Sequence, residues 1–520
     1  MKKQNYPLYE VEPLNNLKEL VDYAAEKYKN NPAFLFERKK ETVSISYRQF
    51  KSDVEALGTA LFDLGIKNEK ISLIGENSYE WILTYFAVVN SGNVIVPLDK
   101  ELPATEIKNL VDHSDSEVFV YSDTYADFAE YLQNNNVSIR HYINMGSLSK
   151  MVEKGNSLIQ HGEKSISDYI VNNNILAVLM YTSGTTGNAK GVMLSHENIT
   201  KNAVGALQNI SLPDSSLLIL PIHHLAGLTG GVLTPLIIGC SVAINLSLKT
   251  LQNDFIKYKP RYIMLVPLFV ETFYKQIKAT VDENDAKESS TRVANKLFGG
   301  NLVLIVCGGA PLNGKYVKGF SDFGITVLNV YGLTECSALI SGNRNLYSRA
   351  DSGGQLLPCC EVIISNPDED GYGEIYSKGE TNMLGYYKNQ QATNEIFDGE
   401  WLKTGDIGHL DEDGFLFISG RKKNVIILSN GKNVYPEELE SSLLNQIPYI
   451  QEIIIYAESD IIVAEVFLNV ENDPDCASRL NSDILAFNQT QPFYKNIGKT
   501  VIRDTDFPKT TTKKIKRHEG

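Results

Sequence analysis

Apolar residues along the first 350 positions recur at two alternating spacings. Leu17, Leu20, Val21, Ala24, Ala25 and Tyr28 fall on one helical face, and Phe50, Val54, Leu57, Leu61 and Leu64 repeat that spacing before Gly65. Short, largely apolar runs at 70–75, 93–99, 118–121 and 175–180 then have the length of buried strands. An apolar helix from Trp81 to Val89, stopped by Gly92, and a helix around Ile107 to Val111 separate them. The rhythm resumes with strands at 262–267, 302–307 and 326–332, and Gly308-Gly309-Ala310-Pro311 turns out of the second. Strands alternating with helices of crossover length predict parallel sheets covered by helices.

Near residue 350 the pattern becomes turn-rich β, at 373–376, 401–406 and 411–418, with Asp413-Gly414 marking a hairpin. A boundary is expected at 419–420. Beyond it come a helix near 436–444, strands at 453–456 and 461–468, a helix near 483–489 and a Lys/Thr-rich tail. The expected fold class is α/β. A large N-terminal domain, 1–419, combines helix-covered, mostly parallel sheets with a β-rich subdomain. A small mobile α+β domain covers 420–520.

The uncharged stretch from Ser215 to Leu248 is long enough to cross a membrane, but Pro221, Gly227, Gly230, Gly231, Pro235 and Gly239 punctuate it. It therefore divides into a strand at 217–220, a buried helix at about 226–238 and a second strand at 241–244. With 520 residues, the chain exceeds one simple core. Its net charge of −14 argues against non-specific nucleic-acid binding, so no nucleic-acid partner is expected. Six cysteines occur without a C-x-x-C pair or a zinc-like Cys/His spacing, which favours a reducing, intracellular setting. No apolar segment follows the basic residues Lys2 and Lys3, so no signal peptide is expected and the location is read as cytoplasmic.

The chemistry concentrates at Tyr181-Thr182-Ser183-Gly184-Thr185-Thr186-Gly187-Asn188-Ala189-Lys190-Gly191. Glycines allow close approach and positive φ, the hydroxyls donate, and Lys190 adds a cation. Such a nest of N–H and O–H donors after a buried strand suits a nucleotide polyphosphate. A Walker loop is excluded, because Lys190 is followed by Gly191 and stands three residues past Gly187.

This loop resembles the signature of the acyl-adenylate-forming superfamily, and further stretches match that family in order. Leu220-Pro221-Ile222-His223-His224 is similar to its substrate-side histidine motif, and Asn329-Val330-Tyr331-Gly332-Leu333-Thr334-Glu335-Cys336 to its adenine and magnesium motif. Lys403-Thr404-Gly405-Asp406 resembles the ribose motif, Gly420-Arg421-Lys422-Lys423 the hinge, and the 508–517 tail the catalytic lysine motif. Gly385-Tyr386-Tyr387-Lys388-Asn389 and the tail resemble most the medium- and long-chain fatty acyl-CoA synthetases.

The resemblance implies an AMP-forming ligase. A carboxylate attacks the α-phosphate of ATP, pyrophosphate leaves, and a thiol then takes the acyl group from acyl-AMP. Two anions must meet in the first step, so cations and N–H donors have to face the phosphates. The family assignment makes Lys514, Thr185, Glu335 and Lys190 catalytic, with Glu335 and Thr185 at Mg²⁺. Thr182, Ser183, Gly184, Thr186, Gly187, Gly309, Ala310, Pro311, Asn329, Tyr331, Gly332, Thr334, Asp406 and Arg421 are expected around the nucleotide. His224, Gly308 and Gly431 are expected at the acyl and thiol side, with Lys423 as hinge. Lys513 stands where the family usually has Gly, so a register displaced by one residue would make Lys513 the catalytic group.

The implied co-substrates are ATP, CoA and a fatty or other carboxylate. The alternatives are an acyl-carrier-protein-loading ligase, an aryl-CoA ligase, and a nucleotide- or acyl-binding protein without turnover. A long acyl substrate would permit peripheral membrane association at most.

Overall fold

The computed structural model describes residues 6–135, 138–182, 189–280, 286–429, 432–458, 460–469, 473–509, 515 and 517, with side chains of 286–288 excepted. The predicted α/β class is observed. One large sheet has a parallel half with the spatial order Pro32–Arg38, Ser241–Ile244, Ser215–Leu218, Tyr262–Leu265, Leu304–Cys307 and Thr326–Tyr331. It continues as an antiparallel half through Ser341–Gly342, Gly354–Leu356, Phe415–Arg421, Trp401–Leu410, Gly373–Gly379 and Cys360–Ser365.

The second sheet runs Gly385–Tyr386, Lys190–Ser195, Leu176–Thr182, Val94–Pro97, Lys70–Ile74, Val118–Tyr121 and His141–Asn144. Helices Leu17–Tyr28, Tyr47–Asp63, Tyr79–Asn90 and His196–Asn209 contribute to a core that also takes Val178 and Ile95 from this sheet and Leu218 and Val242 from the first. Helix Tyr79–Asn90 buries eleven of its twelve residues, as expected for a helix that is apolar all round. The segment 215–248 is core, and its helix runs Leu225–Leu228, Thr229–Leu233 and Thr234–Ile238 with a π-turn in the middle. Among the described residues, no helix is long and apolar enough to cross a membrane.

After residue 420 a separate apolar cluster forms from Leu428, Leu439, Ile455, Val466, Leu480 and Phe487, among others. Helix Pro436–Gln446 packs there against the sheet Ile450–Glu458, Ile461–Leu468 and Ile497–Arg503. The last strand was not expected; Gly498 and Lys499 interrupt its apolar pattern, and its parallel pairing with Ile461–Leu468 is long-range. The first strand pair, Pro32–Arg38 with Glu41–Ser46, was also not expected. The expected boundary at 419–420 falls inside strand Phe415–Arg421, and the exposed turn Lys422–Asn424 follows it.

Candidate functional site

The carboxyl ends of parallel strands leave backbone groups and loops facing a crevice, where ligands of α/β sheets bind. Here Thr326–Tyr331 ends in Asn329, Val330 and Tyr331, and Leu304–Cys307 beside it ends in Gly308 and Gly309, with Cys307 opposite Asn329. A Cβ on Gly308 would stand 2.8 Å from Val330 Cγ2, and Gly309 has φ +85°, so this turn needs both glycines. Ala310 is half-buried, and Pro311 is exposed. Asn329 donates to the Ala350 carbonyl at 2.8 Å, while its buried Oδ1 has no hydrogen-bond partner among the described residues. An orphaned acceptor at a crevice edge is costly unless a ligand donor meets it.

Tyr331 joins the two halves of the large sheet. Its hydroxyl donates to Asp406 Oδ2 at 2.7 Å, and Arg421 Nε lies 2.9 Å from Oδ1. Asp406 and Arg421 are direct partners on neighbouring strands. Arg421 also donates to the Thr404 carbonyl at 3.2 Å, and Thr404 Oγ1 accepts the Asp406 amide at 3.1 Å. Burial, then the adjacent Asp406 charge, holds the Tyr331 phenol well above its usual range, so it remains a donor. The Asp406 carboxylate is buried.

Past Gly332 the chain makes a single helical turn, Thr334–Cys336, that presents the half-buried Glu335. Tyr386 donates to Glu335 Oε1 at 2.9 Å, and Lys190 Nζ sits 4.9 Å from the centre of the same ring. Burial and then the Glu335 charge push the Tyr386 phenol up. Ser337 and Ala338 follow at φ +59° and +107°, and backbone strain of this kind in non-glycine residues clusters at functional sites. The buried Asn202 holds the turn in place, since its amide nitrogen donates to Leu339 O at 2.7 Å and its oxygen accepts the Leu339 amide at 3.2 Å.

The strands on either side of residues 183–188 pair antiparallel. They are Leu176–Thr182 and Lys190–Ser195, with Thr182 opposite Lys190. The stem is braced by Tyr181–His113 at 2.8 Å and by Tyr387, whose amide donates to the Gly191 carbonyl at 2.7 Å. A capping box of Ser195 and Asn198 starts the following helix. Ser183, Gly184, Thr185, Thr186 and Gly187 lie outside the described residues, as do Gly431, Lys513 and Lys514.

His224 precedes helix Leu225–Leu228, on the loop that leaves strand Ser215–Leu218. The ring of His223 lies 4.3 Å from that of His224, and His223 Nε2 is 3.2 Å from Asp99 Oδ1. Burial opposes ionisation of Asp99, but the hydrogen bond and charge of His223, with the Glu101 amide, hold its carboxyl well below the usual range. Lys423 is exposed in the turn after Arg421; partial burial, Arg421 and Arg517 lower its ammonium from the usual range.

Sequence reasoning placed Tyr331, Glu335, Asp406 and Arg421 on one site, and the structure brings Tyr331, Asp406 and Arg421 into contact. It missed Tyr386, Asn202, Thr404, Asn77 and Asp99. Tyr386 and Thr404 had a signal, because they lie inside the 385–389 and 403–406 strings. Asn202, Asn77 and Asp99 act through contacts 124 to 145 positions apart, which no local pattern marks.

Tyr331, with its buried carboxylate–guanidinium pair, thus ends a parallel strand, and Glu335, bound by Tyr386 beneath Lys190, stands on the turn that follows. The chain belongs to the AMP-binding enzyme family, which it matches over residues 21–387. Within it the chain stands with the AMP-forming acyl- and aryl-CoA ligases, ATP-dependent enzymes that adenylate a carboxylate.

It is 28% identical over 493 residues to the long-chain-fatty-acid–CoA ligase ACSBG1 of Rattus norvegicus, covering 84% of this chain and 68% of that protein. It is 29% identical over 513 residues to the 2-succinylbenzoate–CoA ligase of Listeria monocytogenes, covering 94% and 95%. In fold it resembles the anthranilate CoA ligase AuaEII in complex with anthranoyl-AMP, with a TM-score of 0.80 at 22% identity, over 99% of this chain and 97% of that one.

Proposed function

We propose that this protein converts a medium- to long-chain fatty acid to its CoA thioester through an acyl-AMP intermediate. The observation that carries the reading is the Tyr331–Asp406–Arg421 chain together with Glu335–Tyr386–Lys190, whose Glu335 stands on the turn just after Tyr331. In this reading Asp406 takes the ribose hydroxyls, Tyr331 flanks adenine, and the Asn329 amide oxygen accepts from the base. Ser183, Gly184, Thr185, Thr186 and Gly187 cradle the phosphates. Lys190 and Lys514 offset the charge that builds as two anions approach.

The oxygen donors present suit Mg²⁺: the Glu335 carboxylate, oriented by Tyr386, with Thr185 as second ligand. When bound, Mg²⁺ neutralises phosphate charge. Gly309, Ala310 and Pro311 give the nucleotide a flat, close approach, while Gly308 and His224 face the acyl group. Residues 420–520 turn about Lys423 between the two half-reactions, and Gly431 leaves room for the thiol arm of CoA.

The fatty-acid preference is supported by the uncharged 215–248 segment and by the resemblance to long-chain ligases. A second reading, an aryl acid, is favoured by a specific feature. Gly230 packs so closely on Met264 that a Cβ there would lie 1.9 Å from its sulfur, and Tyr262 donates to the Gly230 carbonyl at 2.8 Å. That contact closes the space between helix and sheet, which suits a short, flat acid.

Carboxylate-dependent ATP–pyrophosphate exchange over octanoate, palmitate, benzoate and 2-succinylbenzoate separates the two, with CoA-dependent AMP release followed in parallel. Exchange with fatty acids supports the first reading, and exchange with aromatic acids alone replaces it with the second. Exchange without CoA turnover points to a carrier-protein acceptor. No exchange with any acid sinks the enzymatic proposal.

A further inference from the structure

Asp99, His223 and His224 each offer one ligand atom, and these atoms lie within 4.8 Å of one another. They come from two different sheets. Asp99 follows strand Val94–Pro97 of the second sheet, and the histidines leave strand Ser215–Leu218 of the first. From this cluster we propose a binding site for a transition-metal dication of the zinc class, distinct from the Mg²⁺ that accompanies ATP and outside the activity proposed above.

The ligand set fits the ion. Two imidazoles and one carboxylate with a fourth position left open form a recurrent zinc arrangement, whereas Mg²⁺ prefers oxygen ligands only. Zinc–ligand bonds of about 2.0–2.1 Å at a tetrahedral angle put neighbouring ligand atoms about 3.3 Å apart. His223 Nε2 and Asp99 Oδ1, at 3.2 Å, already span one such edge. His224, whose ring lies 4.3 Å from that of His223, completes the face by a small side-chain adjustment.

The frame is also built for a fixed ligand set. Asn77, on the loop after strand Lys70–Ile74, grips the histidine loop from both sides: its amide nitrogen donates to Leu220 O at 2.9 Å, and its oxygen accepts the Ile222 amide at 3.2 Å. The Glu101 amide donates to Asp99 Oδ1 at 2.9 Å, an outer contact of the kind that orients metal-binding carboxylates. His223 is buried, so the pair is shielded from bulk water. An ion held here ties the two sheets together at the mouth of the crevice. It would also compete with the acid at His224; that consequence alone rests on the acyl-side reading of His224.

The test uses the full-length protein stripped with a chelator and titrated with Co²⁺ as the spectroscopic probe. The expected result is visible ligand-field absorption of four-coordinate cobalt, with no thiolate-to-cobalt charge-transfer band, displaced by Zn²⁺ and not by millimolar Mg²⁺. Asp99→Asn and His223→Gln should weaken cobalt binding by about tenfold or more. Cys359→Ser and Cys360→Ser should leave it unchanged. His224→Gln, at a half-exposed position, decides the matter if either of the other two variants fails to fold. Absence of the bands, a thiolate band, or bands that persist unchanged in the folded Asp99 and histidine variants would overturn the proposal. Each readout is independent of catalysis, so a failed activity assay leaves it intact.

Discussion

Tyr331 donates to one oxygen of Asp406 at 2.7 Å, while Arg421 meets the other at 2.9 Å. Tyr331 closes the parallel half of the large sheet, and the other two belong to its antiparallel half. The carboxylate is thus held rigid where the two halves meet. Asp406→Asn should raise the KM for ATP about tenfold to a hundredfold, the usual scale for a charge-assisted hydrogen bond. Tyr331→Phe should do less, because Arg421 still orients the group. ATP titration of pyrophosphate exchange checks both, and unchanged KM values would remove Asp406 from the ribose role.

The Tyr386 hydroxyl orients Glu335 from a strand 51 residues away in sequence. Tyr386→Phe should raise the Mg²⁺ concentration for half-maximal activity about tenfold, and Glu335→Gln should cost more than that. A Mg²⁺ titration at constant ATP reads both. Equal Mg²⁺ dependence in all three proteins would take Glu335 off the metal.

Arg517 pairs with Glu440 and reaches Glu437 at 3.6 Å, so it pins the far end of the segment that bears Lys514. Glu440→Ala should slow adenylation about tenfold or more while leaving thioester formation from supplied acyl-AMP nearly unchanged. Burial pushes Glu440 up to about 7 from 4.5, against the pull of Arg517. A raised carboxyl pKa favours the protonated folded state. Its contribution is therefore complete below about pH 4.5 and fades as pH rises through 7. The urea midpoint of the wild type should fall over that window by more than that of Glu440→Gln.

His196 behaves oppositely. It is buried against the amide of Leu17, and burial pushes its imidazole down to about 4 from 6.5. The unfolded chain binds the proton first on acidification, so stability is lost as pH falls from about 6.5 to about 4. Thermal unfolding across that range should be flatter in His196→Gln.

Gly332 admits no side chain, because a Cβ would stand 2.0 Å from the Ala338 carbonyl oxygen. Gly332→Ala should push the 337–339 turn outward, lower stability by about 1–3 kcal/mol and displace Glu335. A fall in Tm together with weaker Mg²⁺ dependence would be the signature; a silent substitution would contradict the packing.

Much of the architecture was legible in order. Apolar runs and helical spacings located the strands ending at Ile74, Leu265, Cys307 and Tyr331 and the helices from Leu17, Tyr47 and Tyr79 to within a few residues. Local periodicity suffices there because each element buries a continuous face. Strand Ile497–Arg503 escaped because its partner lies about 35 positions earlier and its own pattern is broken by Gly498 and Lys499.

The sequence alone determined which residue types could perform the chemistry. Glu335, Asp406, Arg421 and Lys190, the groups proposed for it, stand in recognisable strings, since reacting groups need fixed local spacing on a turn or strand end. Only the tertiary structure decided what each of them touches. Tyr386 beneath Lys190 and against Glu335, Asn202 clamping the strained turn at Ala338, and Asp99 meeting His223 all depend on elements far apart in the chain packing onto one core. Such contacts join residues up to 196 positions apart among these pairs, and hydrogen-bond geometry between separate elements leaves no periodic trace in a chain.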